Sequence, residues 1–166
     1  MKEKIRLLPV LFFAAVVGIG GSILPSKFAI TFTDSLDKRF FLVYRGNENI
    51  RKGDYVLFPY SIVRDQLEKK YRVRFPFSAD YVVKKVVCAP GEFLESDGMK
   101  YYCNGVFLGY AKEQSITGVP TERFVYRGMV PEGKIFVMGT SPDSYDSRYF
   151  GFLDRSVVVG KAYPVF

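Results

Sequence analysis

The sequence predicts a mainly β fold: a twisted barrel or sandwich with one inserted helix, preceded by an N-terminal transmembrane helix. Three observations carry this. β-branched and aromatic residues, among them 16 Phe and 12 Tyr, recur in short runs from Phe28 onward. Gly, Pro, Asn and Asp separate most of those runs, which is turn chemistry. Only one stretch of the body has its apolar residues at helical spacing, too little to cover a doubly wound sheet.

The elements follow in order. Residues 1–6 form a basic start with Lys2, Lys4 and Arg6, and residues 7–24 run for 18 positions without a charge. That length is at the lower edge of what spans a bilayer as a helix. The preceding cations keep the N-terminus on the cytoplasmic side, so the body at 28–166 is expected to be periplasmic or otherwise extracytoplasmic on a single-pass anchor in the plasma membrane. A cleavable signal peptide is the rival. Against it, no small-x-small site is followed by a disposable linker, and Pro25 and Lys27 lead straight into a strand-like Phe28-Ala29-Ile30-Thr31-Phe32.

Strands are predicted at 40–44 and 55–60, on either side of Gly46-Asn47-Glu48-Asn49 and Lys52-Gly53-Asp54. Ile62, Val63, Leu67 and Tyr71 then fall among charged residues at helical spacing, which places an amphipathic helix within an insertion at 61–75. Further strands are predicted at 81–87, 100–108, 123–126, 134–138 and 157–163. Cys88 and Cys103 are the two cysteines. If the strands at 81–87 and 100–106 form a hairpin, the two sulfurs can face each other; bridged and free forms both remain open.

Composition narrows the function. The net charge is +7, but the first 27 residues hold four bases against one acid, and no Lys/Arg run with interleaved aromatics forms a nucleic-acid platform. A solvated basic surface, compatible with anionic lipid headgroups, accounts for the charge, so membrane lipid is an expected partner and nucleic acid is not. Two cysteines with no histidine cannot make the usual four-ligand zinc site, and neither a metal nor a cofactor is expected. The missing histidine also removes the commonest general base, so a hydroxyl nucleophile here needs a carboxylate, a lysine or the N-terminal amine.

A serine and a lysine meet that need. Ser35 sits in Thr33-Asp34-Ser35-Leu36, just past the apolar run. Lys84 lies in Tyr81-Val82-Val83-Lys84-Lys85-Val86-Val87, where strand alternation sends Lys84 and Lys85 to opposite faces, so one of them must point inward or into a groove. Near the C-terminus, Gly139-Thr140-Ser141-Pro142-Asp143-Ser144-Tyr145-Asp146-Ser147-Arg148-Tyr149-Phe150-Gly151 is dense in turn formers and hydroxyls and contains an Asp/Arg pair. It reads as an ordered loop that positions something.

Taken together and in order, Thr33-x-Ser35-Leu36, Gly53-Asp54, Lys84-Lys85-Val86-Val87-x-x-Pro90-Gly91-Glu92, the 139–151 run and Gly160-Lys161-Ala162 resemble the motif series of the type I signal peptidases, serine peptidases that use a Ser/Lys dyad. Within that group the chain is similar to the conjugative-transfer, TraF-type branch that processes pilin subunits. Ser-Leu in place of Ser-Met, the helical insertion, the compact size and the wording around Ser144 carry this finer likeness. Asp37 and Arg39 depart from it, since that branch usually has Pro and Gly there.

The resemblance implies a signal-peptidase-like fold and a polypeptide substrate bearing a signal sequence. It assigns Ser35 as nucleophile and Lys84 as general base. Thr33 becomes an oxyanion-stabilising hydroxyl, Ser144 a hydroxyl that orients the lysine amine, and Asp146 with Arg148 a pair that braces the site. Lys84 is then expected to be desolvated, with its pKa lowered by about three units from 10.4 and no acidic group touching it. Two other functions stand beside pilin processing: a general signal peptidase, and a non-catalytic envelope scaffold of a transfer apparatus.

Overall fold

The computed structural model describes residues 28–32, 35–38, 40–46, 49–71, 80–114, 118 and 120–165. The predicted anchor at 7–24 and the hydroxyl of Thr33 lie outside them. Among the described residues, no helix is long and apolar enough to cross a membrane.

The body is mainly β, as predicted. A seven-stranded sheet has the order β1-β2-β11-β3-β4-β9-β10, formed by β1 (Phe28–Phe32), β2 (Phe40–Arg45), β3 (Tyr55–Pro59), β4 (Tyr81–Cys88), β9 (Lys134–Met138), β10 (Leu153–Asp154) and β11 (Gly160–Pro164). A four-stranded sheet has the order β7-β6-β5-β8, formed by β5 (Phe93–Asp97), β6 (Lys100–Cys103), β7 (Val106–Tyr110) and β8 (Arg127–Met129). Every pairing is antiparallel. The inserted helix α1 runs Tyr60–Tyr71, directly after β3.

Alternation along the strands divides the core. Val56 and Phe58 of β3, Val86 of β4 and Ile135 and Val137 of β9 pack with Val63 of α1 on one face of the large sheet. Leu57 and Val83, which are register partners, join Phe41, Val43, Ala162 and Leu36 on the other face. Phe136 and Met138 alternate with Ile135 and Val137, and they pack against Leu94, Tyr101 and Cys103 of the small sheet. The small sheet is thus seated on the large one through β9.

Several boundaries differ from the sequence-based expectation, each for a local reason. The strand predicted at 100–108 is a hairpin, β6 and β7, whose turn residues Asn104 and Gly105 both have positive φ (50° and 77°). That is the backbone of a two-residue primed turn, for which Asn-Gly is the favoured pair. Residues 123–126 form no strand: the Phe124 N–H donates to the Arg148 carbonyl, and Tyr126 meets β5 at Ser96 alone, whose N–H donates to the Tyr126 carbonyl and whose Oγ accepts the Tyr126 N–H, so the ladder proper is confined to β8. The strand predicted at 157–163 begins at Gly160, because Arg155–Val157 forms a 3-10 turn capped by Asp154. β5 and a four-residue helix α2 (Ser147–Phe150) were not predicted, so the body has more than one helix.

Cys88 and Cys103 form a disulfide with Cα atoms 5.8 Å apart. It does not close a hairpin, because Cys103 pairs with Leu94 of β5 while Cys88 belongs to β4. The bond therefore joins the small sheet to the strand that carries Lys84.

Candidate active site

Lys84 is one of the few buried charges of the described structure, 5% exposed in the middle of β4. Alternation with Val83 and Lys85 turns it toward the face that holds Val86 and Val137. Its Nζ donates to Ser144 Oγ at 2.8 Å. Burial is the largest influence on the amine and lowers its pKa from 10.5 to about 8; Asp146 pulls it back up through space, and Arg148 pushes it down again. None of the ion pairs among the described residues includes Lys84.

Ser144 and Ser35 converge on Gly139. A Cβ placed at Gly139 would stand 2.2 Å from Ser144 Oγ and 2.5 Å from the Ser35 carbonyl oxygen, so no side chain fits there. The Ser141 N–H donates to that same Ser35 carbonyl at 3.2 Å. The turn bearing Ser35 is thereby fastened to the loop bearing Ser144, and Leu36 anchors it from the other side, 6% exposed among Phe41, Val43 and Val83. Ser35 itself is half-buried.

Asp146 and Arg148 hold the loop in shape. Asp146 is fully buried and caps α2: its Oδ1 accepts from the Arg148 backbone N–H at 3.2 Å and from Arg148 Nε at 2.8 Å. Its Oδ2 accepts from Arg148 Nη2 at 2.7 Å and from the Gly139 N–H at 2.9 Å. The remaining guanidinium donors reach the Ser144 carbonyl (3.2 Å) and the Tyr110 carbonyl of β7 (2.7 Å). Burial works to lower the Arg148 pKa, but the hydrogen bonds and charge of Asp146 outweigh it and hold it above its ordinary value. A bidentate pair with every lone pair occupied is the arrangement that buried charges require.

The structure thus links Lys84, Ser144, Arg148 and Asp146 of the residues singled out in the sequence and fastens the Ser35 backbone to the same loop, while Thr33 lies outside the described positions. Sequence reasoning missed Ser147, whose buried Oγ accepts the Val137 N–H at 2.9 Å. β10 pairs with β9 only as far as Ile135, so this hydroxyl takes over where the ladder stops. Gly139 was seen only as part of a motif. Its role as the contact between Ser35 and Ser144 has no local signal beyond a glycine at the end of a strand.

Cys88, Cys103 and Glu92 are the one cluster of metal-type ligands among the described residues, and both sulfurs are spent in the disulfide.

The chain is similar to known proteins. The family model described as signal peptidase, peptidase S26, matches residues 5–166. A signal peptidase I from Aquifex aeolicus (strain VF5) is 31% identical over 130 residues, 78% of this chain and 43% of that protein, so the chain spans less than half of its relative's length. A crystal structure of a signal peptidase I from Enterococcus faecalis V583 is 28% identical, with 68% of this chain and 96% of the other covered at a TM-score of 0.41. The chain belongs to the signal peptidase family, peptidase S26.

Proposed function

We propose that this chain is a serine endopeptidase that cleaves a secreted precursor with a Ser35/Lys84 dyad. The observation that carries the proposal is the state of Lys84: a buried amine in no ion pair among the described residues, with a pKa of about 8 and one N–H directed to Ser144. At pH 7 about one such amine in ten is neutral, against fewer than about one in a thousand for a free lysine.

The hydrogen bond to Ser144 fixes one corner of the tetrahedral nitrogen, leaving the lone pair of the neutral amine free for the Ser35 proton. Ser35 Oγ then attacks the scissile carbonyl, Lys84 takes the proton and passes it to the departing amine, and water releases the acyl group from the serine. The Ser35 backbone N–H and the Thr33 hydroxyl are the assigned donors to the oxyanion, each contributing about 3 kcal/mol in such sites. Asp146 and Arg148 act through Ser144 and Gly139 and are positioning residues.

The finer reading is propilin processing in conjugative transfer. Its support is the Ser35-Leu36 pair, the insertion containing α1 and the loop wording from Ser141 to Gly151. The apolar stretch at 7–24 would tether the enzyme in the plasma membrane, where a signal-bearing precursor presents its junction, and so raise the local concentration of each. The similarity to a relative named signal peptidase I favours a second reading, a general signal peptidase. Co-expression with a candidate pilin precursor tests the first. Wild type should process it, and Ser35→Ala and Lys84→Ala should not; equal processing by all three would remove the peptidase reading, and processing of unrelated secreted precursors at similar rates would favour the general enzyme.

A further inference from the structure

Lys85 shares its strand with Lys84 but points to the opposite face of the large sheet, between the cluster around Val83 and the cluster around Phe136. Tyr55 and Met138 are its register partners, and the Lys85 Nζ stands 5.7 Å from the centre of the Tyr55 ring. A groove of about 560 Å³ opens beside it, with walls from Val87, Leu108, Met138 and Pro142. That volume lies within the usual range for ligand clefts. Gly139 and Thr140 close the end nearest Ser35. Gly139 is also the residue on which the Ser35 carbonyl packs.

Two cations line the groove, Lys85 and Arg148, and Arg148 is paired with Asp146. Among the described residues, no carboxylate lies within ion-pairing distance of Lys85. Apolar walls with one cation on the floor suit a polypeptide segment that carries a carboxylate. The apolar signal segment of a precursor would gain nothing from that cation, whereas the polar segment beyond the scissile bond can supply a partner for it.

We propose that this groove holds the residues that follow the scissile bond, and that Lys85 selects an acidic side chain among the first few of them. The assignment of which bond is cut rests on the peptidase reading above; the groove and its charge do not.

The test uses quenched fluorogenic peptides with alanine before the junction and Glu, Gln or Lys at the second to fourth positions after it. Wild type should cleave the Glu series with a kcat/KM about fivefold above the Lys series, the scale of a partly exposed ion pair. Lys85→Gln should flatten the ranking and Lys85→Glu invert it. The same ranking in all three proteins overturns the proposal. A second arm measures anisotropy of the labelled downstream segments on the full chain carrying Ser35→Ala, with and without Lys85→Glu. There the Glu segment should bind tighter than the Lys segment only when Lys85 is present, and binding indifferent to charge overturns the proposal. If wild type cleaves no peptide, the peptidase reading fails and the anisotropy alone decides the groove.

Discussion

Lys84 and Arg148 are buried to nearly the same degree, 5% and 3% exposed, at either end of one short network, yet their surroundings treat charge in opposite ways. Arg148 is given a carboxylate in bidentate contact and two carbonyls, and its charge is held on. Lys84 is given one hydroxyl and a wall of valines, and its charge is loosened. Burial alone therefore does not mark a reactive group. What separates the two is the counter-ion: Asp146 supplies one for Arg148, and none of the ion pairs among the described residues includes Lys84, which suits the general-base role proposed for it.

The most direct way to break the contrast is to make both cations permanent. Lys84→Arg keeps the charge and removes the ability to lose it, since a guanidinium does not deprotonate in proteins. Cleavage of a precursor should fall by about 10⁴-fold or more, as should that by Ser35→Ala, measured in single-turnover assays. Retention of substantial activity by Lys84→Arg would mean that no neutral amine is needed.

Taking the partner from Arg148 attacks the other half. Asp146→Asn leaves a buried guanidinium without its counter-ion, and stability should drop by about 3–5 kcal/mol in denaturant titrations. Replacing both residues by apolar ones of similar volume should cost less than the single change, because no charge is then stranded. A double variant less stable than the single one would show that the hydrogen bonds to Gly139 and Tyr110 matter more than the charge.

Relieving Lys84 should have the opposite sign. Its pKa is lowered on folding from 10.5 to about 8, so between those values the unfolded chain binds more protons and wild-type stability rises with pH across that window. Below pH 8 the buried ammonium costs about 3 kcal/mol relative to a free one. Lys84→Met should therefore be inactive yet more stable than wild type by about that amount at pH 7, with the gap closing toward pH 10.5. An inactive Lys84→Met whose stability advantage over wild type is no larger at pH 7 than at pH 10 would place the desolvation elsewhere.

How much of this contrast was legible beforehand follows from which interactions are local. Alternation along Tyr81-Val82-Val83-Lys84-Lys85-Val86 was enough to show that one lysine faces inward, and the spacing of Ile62, Val63, Leu67 and Tyr71 among charged residues was enough for α1. β5 was not legible because Phe93-Leu94-Glu95-Ser96-Asp97 buries one residue fully and shows the rest partly or wholly to solvent, which leaves little apolar pattern. The Asn104-Gly105 turn has a local signal in its residue pair, set within a continuous run of strand formers from Tyr101 to Leu108. The inter-sheet disulfide, the close approach of Ser35 to Ser144 across Gly139 and the takeover of the Val137 N–H by Ser147 depend on segments brought together by the fold, and no spacing encodes them.

The smallest effect sharpens the comparison most, because it asks whether the two cations feel each other. If neutral Lys84 is the active form, kcat/KM should rise with pH along a limb centred near 8 and level off above it. Asp146 raises the Lys84 pKa through space and Arg148 lowers it. Asp146→Asn should consequently move the limb to lower pH, by less than about one unit at the effective dielectric of such sites, while neutralising Arg148 alone should move it upward. Removing both should return the midpoint close to wild type, since the two influences oppose each other. A purely structural role for the pair would instead lower the plateau and leave the midpoint where it was in all three variants.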